Sequence, residues 1–345
     1  MLCYDVYIVY DRAKNKFYNE ECIEGCKKYI KDDSVDLIIT DPPYGIGGDT
    51  LHKHYNRNEQ FVIDGYVEVP KAKYADFSAQ WIKEAARILR PGGSMYIVSG
   101  YTNLIDVLNA VRQTSLREIN HIIWKYNFGV HTTQKFVSSH YHLLFLEKPG
   151  GQRTFNTYAR YGQSEKHDEG GSLNYQDRED VWIINREYKP GEIKNKNELP
   201  KELLIKLLQY SSNEGDTVCD LFLGSFSTAK MAIGLNRYAI GFEMNPKGFA
   251  YQVKQVQNAI PGTLLPSLRK PVGGAPKNYG KSWTEDDISL CQQHFQKAYN
   301  TLQNKKKAIE RVASEMGRGY FSILNLLDHN DGSISDHFVQ RKLIS

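Results

Sequence analysis

The residues best equipped for chemistry form the tetrapeptide Asp41-Pro42-Pro43-Tyr44, directly after the apolar run Val35-Asp36-Leu37-Ile38-Ile39-Thr40. A carboxylate such as that of Asp41 accepts a hydrogen bond from an exocyclic amine. Two successive prolines make a stiff turn, because each ring fixes its own φ. The turn's carbonyls then point one way, and the first can take the second amine hydrogen. The ring of Tyr44 offers a flat face to a base turned out of its helix. Together these groups suit the holding of an aromatic amine with its nitrogen lone pair aimed at an electrophile. A strand followed by a plain Pro-Pro turn fits the same four residues.

A second set lies far along the chain. Asp220-Leu221-Phe222-Leu223-Gly224-Ser225-Phe226-Ser227-Thr228 reads as a strand-to-helix turn. A helix start presents free N–H groups and the positive end of the helix dipole, which suit a carboxylate or phosphate. Asp220 can take a cationic amino group. Glu243 ends the following strand, where an acid binds ribose hydroxyls in nucleotide folds. No full G-x-G-x-x-G is present, which argues against a pyrophosphate. The pattern favours a ligand with an amino-acid end and a nucleoside end, such as S-adenosylmethionine. An ordinary strand-helix turn with a structural glycine is equally compatible.

The elements that must position these residues alternate. Strand patterns over 35–40, 94–98, 121–124, 142–146, 217–222 and 238–242 are interspersed with helical patterns over 77–89, 104–111, 198–210 and 227–235. Alternation of this kind predicts an α/β fold with a mostly parallel sheet and helices on both faces. Arg90-Pro91-Gly92-Gly93 is expected to stop the helix before it. Residues 148–197 lose the pattern and read as a polar insertion, and long insertions in compact domains are often functional.

Taken in order, the motifs resemble the DNA amino-methyltransferases, specifically their permuted β group, in which the catalytic tetrapeptide precedes the target-recognition insertion and the cofactor loop follows it. Tyr18-Asn19-Glu20-Glu21-Cys22, Arg87 to Gly93, Ile122 to Lys125, Asp180-Val181-Trp182 and Tyr238 to Pro246 match further segments of that family. The resemblance spans about residues 17–255. It implies a Rossmann-like methyltransferase fold and S-adenosylmethionine as cofactor. It also implies catalytic roles for Asp41, Pro42, Pro43 and Tyr44. Cofactor contacts fall to Glu21, Asp220, Phe222, Gly224, Ser225, Ser227, Thr228 and Glu243. The chain departs from the pattern where Phe226 stands at the second glycine of the cofactor loop, where Glu21 replaces Asp, and where Leu199 replaces the lysine of a Lys-Pro pair. The bulky Phe226 is expected to thicken the loop backbone.

Asp in the first tetrapeptide position is similar to the N6-adenine members; N4-cytosine members more often carry Ser. A 5-cytosine enzyme needs a thiolate nucleophile, and the chain has no Pro-Cys pair. The implied activity is therefore methylation of adenine N6 in a base flipped out of double-stranded DNA. N4-cytosine methylation, RNA or protein-amide methylation, and a catalytically dead DNA-binding regulator are the alternatives. The loop after the tetrapeptide carries His52, Lys53 and Arg57, expected either to close over DNA or to form a solvated loop.

The chain has 345 residues, 41% hydrophobic and 24% charged, a soluble globular balance that excludes a mainly disordered chain. No run of apolar residues is long enough for a membrane span, the first residues do not read as a secretory signal, and the five cysteines are scattered, so a reducing cytoplasm is expected; the resemblance implies DNA of bacterial, phage or archaeal cells and no metal. The net charge of +4 lies entirely beyond residue 262. The expected division is a catalytic domain over 1–262, a linker over 263–279, and a helical domain over 280–345. Residues 280–328 resemble a Myb-like helix-turn-helix, which implies a helix in the major groove; a helical packing or dimerisation appendage fits the same pattern. Lys305, Lys306, Lys307 and Arg318 are the expected DNA contacts. A homodimer and a cognate restriction endonuclease are further partners that the resemblance suggests.

Overall fold

The computed structural model describes residues 10–44, 69–127, 132–186 and 198–329. The chain falls into two compact units, Met1–Asn156 with Glu179–Leu268, and Thr157–Arg178 with Arg269–Ser345.

The larger unit is a sheet flanked by helices. Its strands are β1 (Lys16–Tyr18), β2 (Val35–Thr40), β3 (Leu89–Ser99), β4 (Arg117–Lys125), β5 (His140–Glu147), β6 (Val181–Ile183), β7 (Thr217–Asp220) and β8 (Tyr238–Phe242). They lie in the order β1-β8-β7-β2-β3-β5-β4-β6. Neighbours pair in parallel except at β5, which runs antiparallel to both β3 and β4. The helices are α1 (Cys22–Tyr29), α2 (Tyr74–Ile88), α3 (Leu104–Arg112), α5 (Lys201–Ser211), α6 (Ser227–Gly234) and α7 (Pro246–Gln257); α4 (Leu173–Asp177) belongs to the smaller unit.

The near-continuous apolar run of β2 follows from burial on both faces. Ile38 enters one core with Trp81, Ile82 and Leu146, while Leu37 and Ile39 enter the other with Leu203, Leu207 and Phe226. Helix α2 ends at Ile88, just before Arg90-Pro91, as the restriction on pre-proline residues requires. The chain does not turn away there. Residues 90–93 already belong to β3, with the Gly92 N–H on the Lys148 carbonyl at 2.7 Å. Gly92 has φ 75°, and a Cβ on it would meet the Gln152 carbonyl oxygen at 2.4 Å, so only glycine fits. The insertion expected to lack regular structure contributes β6, which pairs with β4 at the sheet edge.

In the smaller unit, α8 (Glu285–Leu302), α9 (Lys305–Met316) and α10 (Tyr320–His329) enclose Cys291, Ala298, Ala308, Ile309, Val312, Ala313 and Ile323. Thr284 starts α8 in a reciprocal capping box with Asp287. The division differs from the sequence-based boundaries at two places. Leu264, Leu265 and Leu268 of the expected linker pack on the core of the larger unit. Residues 157–178 of the insertion fold with the C-terminal segment.

Candidate active site

Because β1, β8, β7, β2 and β3 are parallel neighbours, their carboxyl ends open on one edge. In sheets of this type ligands bind there. The ends carry Asn19 to Glu21, Glu243, Asp220 to Phe226, Asp41 to Tyr44 and Ser99 to Asn103, which brings together segments far apart in sequence.

Asp41 directly follows β2, and Asp220 ends the adjacent β7. Thr40 Oγ1, the last residue of β2, donates to Asp220 Oδ1 at 3.1 Å. The Phe222 N–H donates to the same oxygen at 3.1 Å, and the Thr228 hydroxyl also bonds Asp220. Burial raises the Asp220 carboxyl to about 6 despite these donors, with the charge of Glu243 adding to the rise. Asp41 is raised further, to about 7, first by burial and then by the charge of Asp220. The Tyr44 hydroxyl, which donates to Asp41, and the Arg186 guanidinium oppose that rise.

Tyr44 is held from three sides. Its carbonyl accepts the Asn103 side-chain amide. Its ring lies parallel to that of Tyr141, with centroids 5.8 Å apart and planes 13° apart. The ring also passes 3.7 Å from the Cβ position of Gly100. Arg186 lies over Tyr126 and Tyr141 at 5.3 and 5.6 Å.

The residues expected to hold a cofactor fall into two groups. Glu243 Oε2 accepts the Gly224 N–H at 2.9 Å and Oε1 accepts the Asn245 N–H at 2.7 Å, so the acid fixes the loop. Burial raises its carboxyl above the ordinary value. Ser225 Oγ and Ser227 Oγ lie 2.7 Å apart, and Ser227 donates to Glu198. Phe226 has φ 60°, the left-handed region. Its ring leaves the loop and is fully buried between Phe17 and Phe249, at 5.3 and 6.0 Å. The bulk expected in the loop therefore lies in the core. Phe222 packs on Trp81 at 5.5 Å. Glu21 caps α1, accepting from the Ile23 and Glu24 N–H groups at 2.9 and 3.1 Å.

Of the expected DNA contacts, His52, Lys53 and Arg57 lie outside the described residues. Lys305, Lys306 and Lys307 are exposed in the first turn of α9, with Lys305 paired to Asp328 at 2.9 Å. Arg318 is not a surface cation. It is 5% exposed, stacks on Trp283 at 4.3 Å, and donates to the Lys281 and Ser282 carbonyls and to Asp287. A glycine-flanked arginine in a turn reads as exposed, and the Trp283 platform reverses that reading. Sequence reasoning missed Thr40, Asn103, Tyr141, Arg186 and Glu198. Thr40 could have been found as the last residue of a strand that ends at the site; the others depend on cross-sheet neighbours.

The family model described as DNA methylase, covering N6 and N4 types, matches residues 35–254. The Type II methyltransferase M.HpaI of Haemophilus parainfluenzae is 30% identical over 63% of this chain and 67% of its own length. The DNA adenine methyltransferase YhdJ of Escherichia coli K12 is 30% identical over 63% of this chain and 74% of its own length. The Type II methyltransferase M.BamHI of Bacillus amyloliquefaciens is 32% identical, and the chain covers 54% of its length. Among solved structures, a Thermus thermophilus protein described as a DNA modification methylase, complexed with S-adenosyl-L-methionine, is similar with a TM-score of 0.53 at 21% identity. That likeness covers 72% of this chain and 95% of the other. The cytosine-N4-specific PvuII DNA methyltransferase shares the fold with a TM-score of 0.52 at 14% identity, over 74% of this chain and 93% of its own.

Proposed function

The chain belongs to the N6/N4 family of DNA methylases, and from that premise we propose that it methylates adenine N6 in duplex DNA from S-adenosylmethionine. The observation that carries the reading is the side-by-side placement of Asp41 and Asp220, with Thr40 bonded to the second and adjoining the first. One acid serves the methyl acceptor and the other the methyl donor.

The residues fit the cofactor. Asp220 and Glu243 are recessed carboxylates raised by burial. A ligand ammonium and ribose hydroxyls supply the donors such acids need. Asp220 would take the amino group and Glu243 the ribose. Glu21 would take the adenine amine, and the start of α6 with Ser225, Ser227 and Thr228 the carboxylate. The bound sulfonium supplies an already activated methyl, so no covalent enzyme intermediate is needed.

The chain's own residues then orient the acceptor. The target amine displaces the Tyr44 hydroxyl and donates to Asp41. The Pro42 carbonyl takes the second amine hydrogen, and the Tyr44 ring stacks on the base. Held in line with the methyl and away from water, the amine reacts through positioning. Asp41, lifted toward neutrality, accepts the proton that the amine loses. Asp at the head of the tetrapeptide supports adenine as the target.

The test is transfer of labelled methyl to duplex DNA followed by nucleoside separation. Label in N6-methyladenine is expected. Label only in N4-methylcytosine would overturn the base assignment and leave the family intact.

A further inference from the structure

The smaller unit is assembled from two stretches of chain, and one acid joins them. Glu165 is 8% exposed. It accepts the Gly162 N–H of its own stretch at 2.6 Å and the Val272 N–H of the other at 2.9 Å. It also pairs with both terminal nitrogens of Arg269, whose guanidinium lies over Tyr161 at 4.3 Å. Around this joint the two backbones touch. A Cβ on Gly162 would fall 1.8 Å from the Val272 carbonyl oxygen. Farther along, Tyr279 donates to Thr157 Oγ1 at 2.7 Å and meets Tyr158 edge-on at 5.0 Å. Asn278 in turn binds the end of α9, its N–H on the Gly317 carbonyl at 2.7 Å. A continuous path of bonded residues thus runs from the insertion to α9.

Charge and exposure suit a polyanion. The unit holds 15 Lys and Arg against 12 Asp and Glu. Lys166, Lys270, Lys277 and Lys281 are exposed, together with Tyr175 and Tyr279. Cations interspersed with exposed rings can contact phosphates and bases.

We propose that residues 157–178 and 269–329 form a single duplex-DNA reader, in which the Glu165–Arg269 joint positions the insertion and thereby sets target-site discrimination. This rests on the DNA methyltransferase reading above and adds to it which parts of the chain choose the site. Arg269 and Glu165 are positioning residues: their side chains are turned to each other, and the DNA contacts come from the stretches they hold in register.

The test uses the full chain and a plasmid containing every short sequence context, read by modification-aware sequencing. Arg269→Ala should lower the ratio of preferred to other sites at least tenfold and raise KM for duplex. Its kcat and cofactor Kd should match the wild type, and Arg269→Lys should fall between. A redox clamp separates positioning from damage. The Cβ position of Gly273 lies 3.8 Å from Ser164 Cβ, a separation that suits a disulfide, and the four described cysteines are buried and do not compete. In Arg269→Ala carrying Ser164→Cys and Gly273→Cys, oxidation should restore discrimination and reduction should remove it. The reduced form of the same protein controls for the left-handed backbone at Gly273. Unchanged discrimination in Arg269→Ala, or no difference between the oxidised and reduced clamp, overturns the proposal. Failure of the wild type to methylate duplex at all would instead sink the reading on which it rests.

Discussion

Two aspartates stand at the ends of neighbouring strands of one sheet, yet they are held in opposite ways. Asp220 is tied by Thr40, by Thr228 and by the Phe222 N–H. Its oxygens cannot turn, which suits a permanent acceptor for a cation. Asp41 is held by the Tyr44 hydroxyl, on a side chain whose ring stacks on the base in the proposed reaction. That donor can be exchanged for an incoming amine. The same residue type, recessed at the same edge, is thus proposed to serve two uses according to which donors hold it. Burial lifts both carboxyls, and in each the hydrogen-bond donors oppose that rise.

The largest expected break in this comparison is Asp41→Ala. Methyl transfer should fall by at least about a hundredfold, because the amine loses the group that orients it. Single-turnover transfer at saturating cofactor and DNA measures this. Phe226→Ala comes next. Its ring is fully buried in the core behind the Asp220 loop, and removing such a ring costs about 3–5 kcal/mol. Relief of the left-handed backbone requires glycine and returns about 1 kcal/mol, so Phe226→Gly should also unfold at lower denaturant than the wild type.

Smaller effects sharpen the contrast. Transfer needs ionised Asp41, so the rate should fall as pH drops below about 7. Tyr44→Phe removes a donor that lowers this value, and the acid limb should move to higher pH. The same shift acts on stability. The folded protein holds the Asp41 proton more tightly than the unfolded chain, whose aspartates titrate near about 3.9. Stability from this group is therefore present below that value and is lost as pH rises through about 7. The cofactor-free Asp41→Asn variant should melt higher than the wild type at about pH 8, and the gap should close near about pH 4. The smallest effect concerns the exposed cations of α9. Replacing Lys305, Lys306 and Lys307 by Ala should flatten the salt dependence of duplex binding by about 0.9 for each phosphate that is no longer neutralised.

What could be read from sequence was local. The tetrapeptide follows an apolar run of strand length, and the Asp220 loop joins a strand to a helix, so both reveal their place through periodicity and turn chemistry. Glu243 ends a strand for the same reason. Asn103, Tyr141 and Arg186 reach the site through sheet order, and β5 runs backward between β3 and β4. No spacing along the chain encodes that. The union of 157–178 with the tail depends on backbone contact at Gly162 and on one acid, Glu165. Neither has a periodic signature. Arg318 looked like a surface cation because its flanking glycines mark a turn, and only the fold brings Trp283 beneath it.

The division of labour between the two aspartates is tested most directly by cofactor titration of Asp41→Ala and Asp220→Ala beside the wild type. Asp41→Ala should bind S-adenosylmethionine within about twofold of the wild type, while Asp220→Ala should bind it at least about tenfold more weakly, the loss of one charge-assisted hydrogen bond. Weakened binding in Asp41→Ala together with wild-type binding in Asp220→Ala would contradict that division of labour.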